Sequence, residues 1–285
     1  MITVLGTGLL GSGFARGMLR QGHALRVWNR SPEKARALAS CGATFSADPA
    51  EAVQGAERTH VVLSDDAAVD AVLAAATPGF EPGALVVDHT TTSTRGARER
   101  TERWRARGVD YLHAPVFMGP QNAVEASGVM LVSGARALVE RATPLLAPLT
   151  GTLVDLGPRV DAAAAYKLLG NAFLLALGAG FTDMLALARS MELEPAAVAR
   201  LFEHFNPGTS LPARVRRMLA ADYEHPTWEL AMARKDARLM QAEADAAGVA
   251  LTLLPALAAR MDRSIAAGRA HADWTVVAEE FVRGR

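Results

Sequence analysis

The chain has 285 residues, 50% of them hydrophobic, with 30 basic and 30 acidic side chains and a formal net charge of zero. That length and apolar content can bury a sizeable core in two domains, and the balanced charge makes no electrostatic case for a nucleic-acid or membrane-surface partner. A single cysteine, Cys41, rules out an intrachain disulfide and fits a reducing cytoplasm.

The chain opens on an apolar stretch with no basic leader, which predicts no signal peptide. Residues 2–5 read as a short buried strand. They run at once into Gly6-Thr7-Gly8-Leu9-Leu10-Gly11 and a helical pattern. A G-x-G-x-x-G string carries weight only between a strand and a helix, and that is its context here. Glycines there permit a tight turn and a close backbone approach to a pyrophosphate. The helix start adds free amides and a positive dipole end. A second strand, 24–28, ends in Asn29-Arg30-Ser31, where an NAD-preferring fold usually places an acid. With no acid present, Arg30 can pair with a 2′-phosphate while Asn29 and Ser31 donate to it, so NADP(H) is expected in preference to NAD(H). Ser31-Pro32 also reads as a plain helix start, and the two roles are compatible.

Strand and helix patterns then alternate: helix 35–40, strand 60–63 ending at Ser64, strand 84–87 followed by Asp88-His89-Thr90-Thr91-Thr92. This rhythm predicts a parallel α/β sheet of the Rossmann type, with Leu63, Ser64, Thr90 and Thr91 beyond strand ends where ligands sit. The arginine-rich run 95–107 reads as a solvated helix face. Two further strands, 111–120 and 128–134, are expected around a loop carrying Gln121, Asn122 and Glu125. A short strand at 152–156 follows. Residues 160–189 then run without a proline, rich in Ala and Leu, as one helix about 45 Å long. Pro158 precedes it, and Asp161 is expected to cap its first amides. Leu168, Leu169, Phe173, Leu174, Leu175, Leu177 and Phe181 leave little polar face, which predicts burial on most sides. The apolar run 168–181 is too short for a membrane span. Lys167 and Asn171, four apart, share one face. Lys167 is either a stem packed on apolar surface with its head in water or a desolvated lysine in use.

After residue 189 the pattern stays helical: 195–204, 211–221, 228–247, 253–267 and 273–282. This predicts an all-α second domain, with the division at 159/160. It is small for covering so apolar a helix, so a homodimer or tetramer is expected. The histidines show no metal-ligand spacing, and no metal site is expected.

Taken together, the chain resembles the β-hydroxyacid dehydrogenase family, which includes 3-hydroxyisobutyrate dehydrogenases and glyoxylate/succinic semialdehyde reductases. The resemblance spans nearly the whole chain. It rests on the glycine loop 6–11, Asp88-His89-Thr90-Thr91, His113-Ala114-Pro115-Val116, Lys167-x-x-x-Asn171, and Trp228 followed by Lys235-Asp236. It implies an NADPH-dependent hydride transfer between nicotinamide and a small aldehyde or keto acid. Lys167 would be general acid/base, Asn171 would hold the substrate oxygen, and Lys235 would contact the cofactor. Pro115, Val116, Phe117, Met118, Gly119, Asn122 and Trp228 would face the substrate. Where the family continues with Ser-Gly-Gly, this chain has Phe117-Met118-Gly119, so two donors for a carboxylate are replaced by apolar bulk. Either Gln121 and Asn122 take over, or the substrate is less polar or lacks a carboxylate. Imine reductases are similar in fold and opening loop but commonly carry Asp or Tyr at the position of Lys167. They form the alternative, together with a catalytically silent cofactor-binding sensor.

Overall fold

Six parallel strands form the frame of the first half. The computed structural model describes residues 1–282, and the chain divides into two compact units, Met1–Asn171 and Ala172–Arg285. In the first, β1 (Ile2–Leu5) leads through α1 (Leu9–Arg20) to β2 (Leu25–Trp28). Short helix α2 (Pro32–Arg36) precedes β3 (Thr44–Phe45), and α3 (Pro49–Val53) precedes β4 (Arg58–Val61). Helix α4 (Asp66–Ala76) leads to β5 (Leu85–Asp88), and α5 (Thr94–Arg105) to β6 (Asp110–His113). The strand order is β3-β2-β1-β4-β5-β6. Leu5 lies opposite Trp28 and Val61, Val61 opposite Asp88, and Asp88 opposite His113. All the carboxyl ends are therefore level along one edge, as a ligand-binding parallel sheet requires.

Alternate side chains along these strands feed two cores, one on each face. Val4, Val27, Val87 and Leu112 pack with Phe14 and Met18 of α1, while Leu5, Val61, Val86 and Tyr111 pack with Leu73 and Trp104. Burial on both faces explains why the strands read as continuous apolar runs. The arginine-rich helix is not wholly solvated, as the sequence had suggested. Arg100 is 1% exposed and bonds Asp66 (2.5 Å) and the Tyr111 hydroxyl (3.1 Å), tying α5 to α4 and β6.

A second sheet has the order β7-β8-β9: β7 (Val116–Phe117), β8 (Val129–Val132) and β9 (Thr152–Asp155). The segment expected as a loop between the first two is a helix, α6 (Pro120–Glu125), with proline at its first turn. Between β8 and β9 runs α7 (Arg136–Leu146). Glycines of α1 permit close contact with α6. A Cβ at Gly13 would lie 2.5 Å from the Pro120 carbonyl oxygen, and one at Gly17 would lie 2.5 Å from that of Ala123.

The long helix α8 covers Ala162–Ser190. Its start is held differently from expectation. Asp161 does not give its carboxylate to the helix amides but to Arg98 and Arg159, while the Ala163 amide donates to Ser133 Oγ at 3.0 Å. Two guanidiniums outcompete neutral amides for that carboxylate. The expected burial does not occur within the chain: Leu169, Phe173, Leu174 and Leu175 are 67%, 53%, 55% and 76% exposed. The apolar composition marks a surface needing cover, and composition does not say what covers it. At 29 residues the helix also exceeds the apolar run judged too short for a bilayer, so by length and composition alone it would suffice to cross one.

The second unit holds α9 (Pro195–His204), α10 (Leu211–Leu219), α11 (Leu230–Ala246), α12 (Leu254–Ala266) and the short α13 (Glu279–Val282), with a buried cluster of Tyr223, Leu230, Met261 and Val276. No strand forms there among the described residues, as expected for an all-α region. Asp183 of α8 accepts the amides of Thr252, Leu253 and Leu254 at 2.6–2.8 Å and so caps α12.

Candidate active site

The turn after β1 is fixed by space. Gly6 has φ +99°, and a Cβ on it would lie 2.2 Å from the Val62 carbonyl oxygen; one on Gly11 would lie 2.0 Å from that of Gly6. Gly8 has nothing within 4 Å of its Cβ position, so its outer side is open. The first amide of α1 to find a helical partner is that of Ser12, on Gly8, which leaves the amides of Leu9, Leu10 and Gly11 free. The Thr7 hydroxyl is buried and has no partner among the described residues. An open glycine, three free amides and an orphaned hydroxyl at one helix start fit a dinucleotide pyrophosphate.

These groups rim a cavity of about 500 Å³. Gly8, Leu9, Leu10 and Gly11 form one side; Asn29, Arg30 and Ser31 lie at the end of β2; Leu63, Ser64, Thr90 and Thr91 lie beyond β4 and β5. All of these are expected from the sequence, Thr90 and Thr91 as neighbours of the ligand beyond a strand end, and the fold brings them together. Sequence reasoning missed Lys34, which joins Arg30 on the rim one helical turn beyond Ser31. The available signal was a second cation three residues after the helix cap. Asn29 braces the site: its Oδ1 accepts the Thr7 amide at 2.9 Å, and its amide donates to the Ser31 carbonyl at 3.0 Å. Its amide is thereby committed to the chain.

Beneath the cavity lies a buried polar chain. Arg58 Nε donates to His60 Nε2 (3.1 Å), His60 Nδ1 is 2.8 Å from His89 Nε2, and His89 Nδ1 is 2.7 Å from the Ala114 carbonyl. Arginine can only donate, which fixes the direction Arg58 to His60 to His89 to Ala114 with both imidazoles neutral. Burial pushes His89 down to about 4 and His60 well below its ordinary value; the neighbouring imidazole and Arg58 lower His60 further. His89 also stacks on Phe14, with centroids 4.6 Å apart.

The second candidate group lies on α8 and β7. Lys167 is half-buried, and burial lowers its pKa. Its Nζ sits over the Phe117 ring, 4.3 Å from the centroid, and it has no ion pair or hydrogen bond among the described residues. Asn171, one turn on, is likewise without a partner among them. Phe117 rests on Gly170, where a Cβ would lie 2.3 Å from Cζ. The residues proposed to replace the missing anion donors are already engaged. Asn122 Oδ1 accepts the Gly119 amide (2.8 Å), Asn122 Nδ2 donates to Ser127 Oγ (3.0 Å), and Gln121 donates to Glu125. Pro115 and Val116 lead into β7, where Val116 is core, and Met118 packs against the same core. In the second unit, Lys235 on α11 pairs with Asp236 at 2.7 Å, and Trp228 stands edge-on to Trp274. The described residues contain no cluster of His, Cys, Asp or Glu suited to a metal ion.

Residues 1–157 match the family described as the NAD binding domain of 6-phosphogluconate dehydrogenase. Among individual proteins, the chain is 29% identical to the 3-sulfolactaldehyde reductase of Escherichia coli, over 98% of this chain and 95% of that one. It is also similar to the solved reductive aminase of Aspergillus terreus bound to NADPH, cyclohexanone and allyl amine. There the identity is 26% and the TM-score 0.89, with 98% of each chain covered. An imine reductase of Myxococcus stipitatus in complex with NADP+ shares the fold, with TM-score 0.91, 22% identity, and 98% and 99% of the two chains covered. The chain belongs to the β-hydroxyacid dehydrogenase family, and it is an NAD(P)-dependent reductase.

The buried histidines set the acid response. In the unfolded chain each binds a proton near pH 6.5. In the folded chain His89 resists protonation down to about 4. Between those values the unfolded state holds more protons, so stability falls as pH drops through that window. His89 alone contributes a loss of about 2 kcal/mol at pH 5 relative to pH 8. Asp161, held down to about 2 by its hydrogen bond from Arg159, adds its loss only in stronger acid. Urea midpoints at pH 8, 6 and 5 check this; a midpoint unchanged to pH 5 would contradict the neutral-imidazole assignment.

Proposed function

We propose that this chain is an NADPH-dependent reductase of small carbonyl compounds, with Lys167 as the general acid that protonates the oxygen as hydride reaches the carbon. The observation that carries this is Lys167 itself: half-buried, free of any ionic partner among the described residues, and one helical turn from an equally free Asn171. A lysine depressed by desolvation suits acid–base work, and in the oxidative direction the same amine accepts the proton. Asn171 orients the substrate oxygen. When bound, the reduced cofactor supplies the hydride. The free amides of Leu9, Leu10 and Gly11, with the Thr7 hydroxyl, hold its phosphates, while Leu63, Ser64 and Thr91 border it further along. Arg30, Ser31 and Lys34 are the groups for a 2′-phosphate, which is the basis for preferring NADPH. Lys235 is proposed as a further cofactor contact, and Trp228 with residues 115–119 and Asn122 as the substrate surroundings.

A second reading, imine reduction, is favoured by the likeness to the reductive aminase and by the apolar Phe117 and Met118. A silent cofactor-binding sensor is a third. The exposed apolar length of α8 supports a homodimer or tetramer, since a patch of that size needs a partner. The lone cysteine fits a cytoplasmic setting.

Three measurements test these points. Lys167→Ala should lower kcat for NADPH-dependent carbonyl reduction by about 10²-fold or more with NADPH affinity unchanged; unchanged turnover would remove Lys167 from the chemistry. Arg30→Ala and Lys34→Ala should each raise KM for NADPH about 10-fold while leaving that for NADH in place. Equal effects on both cofactors would overturn the 2′-phosphate assignment. Light scattering at micromolar concentration should give a dimeric or tetrameric mass; a monomer would leave α8 unexplained.

A further inference from the structure

We propose that Phe117, seated on Gly170, is the specificity-determining residue of this site and selects neutral carbonyl compounds over carboxylate-bearing ones. The inference rests on the reductase reading above and names its substrate class. A carboxylate brought to this face needs donors to replace its water. Phe117 has none. The Gly119 amide is taken by Asn122 Oδ1, and Asn122 Nδ2 and Gln121 Nε2 each give one of their two N–H groups to Ser127 and Glu125. On α8, Lys167 and Asn171 stand one turn apart with no ion pair or hydrogen bond among the described residues. A carboxylate paired with Lys167 would occupy the proton that the reaction needs. The ring face meanwhile offers apolar contact and holds the Lys167 ammonium at 4.3 Å. Gly170 belongs to the same device, because a Cβ there would lie 2.3 and 2.6 Å from two ring atoms and would push the ring off the helix.

The test pairs succinic semialdehyde with its methyl ester in NADPH oxidation. Butyrate is also paired with butyramide in calorimetric binding to the NADP+-loaded protein. The wild type should favour the neutral member at least 10-fold in both assays. Phe117→Ser should cut that preference at least 10-fold, through KM more than kcat, with NADP+ affinity unchanged. Phe117→Leu, which keeps apolar bulk, should retain the preference, and Gly170→Ala should weaken it in the Phe117 protein. A wild type that takes the acid as well as the ester, or a preference indifferent to Phe117→Ser, overturns the proposal while leaving the reductase intact. If no carbonyl compound is turned over, the reductase reading fails, and the butyrate and butyramide affinities still decide whether Phe117 discriminates.

Discussion

The close backbone approach along the first turn and helix is the constraint on which the first unit depends. Gly6 lets β1 pass against the Val62 carbonyl, and Gly11 lets α1 start hard against Gly6. Further along, Gly13 and Gly17, about one turn apart, bring the same helix onto the carbonyls of α6. That helix follows directly on Phe117, Met118 and Gly119. One rigid element therefore carries free amides at its start and fixes the segment carrying Phe117 along its side. A Cβ at any of these four positions would meet backbone, which cannot rotate away as a side-chain tip can. On the proposed reading, cofactor position and substrate-side geometry are coupled through this helix.

Charge is handled in opposite ways on the two sides of the site. Under the cofactor cavity every buried polar group of the Arg58–His60–His89–Ala114 chain has its partner, at the cost of holding both imidazoles neutral. A fully satisfied network of this kind fixes one arrangement of the strand ends, since each donor has one acceptor to choose. Lys167 and Asn171 have no ion pair or hydrogen bond among the described residues. Polar groups without internal partners on a half-buried face are where an external ligand gains most from binding.

Much of this was legible in the sequence, and the failures have physical reasons. Most strands of the parallel sheet were legible because burial on both faces favours apolar side chains; β3, two residues long, left no signal, and the polar Arg58-Thr59 start of β4 displaced that strand to 60–63 in the sequence reading. The glycine loop had the strand and helix context it needs. Helix α6 was taken for a loop: six residues beginning with proline carry too little periodicity to register. Asp161 looked like a cap because its distant competitors, Arg98 above all, are invisible to local sequence. Burial of α8 was inferred from composition, which records that apolar side chains need cover without saying which chain supplies it. The departure at Phe117 was plain from the sequence. That Gly170 is its seat, and that Gln121 and Asn122 bond Glu125 and Ser127, only folded geometry could supply.

The Phe117 ring also bears on the direction of the proposed chemistry. Partial burial penalises the ammonium of Lys167 and favours loss of its proton. The π face works against that loss, with a cation–π attraction of about 0.5–2 kcal/mol for the charged form and none for the neutral amine. A carboxylate partner would hold the proton far more firmly and make it a poor acid, whereas no partner at all would leave desolvation unopposed. An aromatic face lies between these limits. It keeps a proton on the amine without an anion that must be broken away before transfer. On the proposed reading, the resting site is thus loaded for reduction. Oxidation, which needs the neutral amine, must first displace the ammonium from the ring.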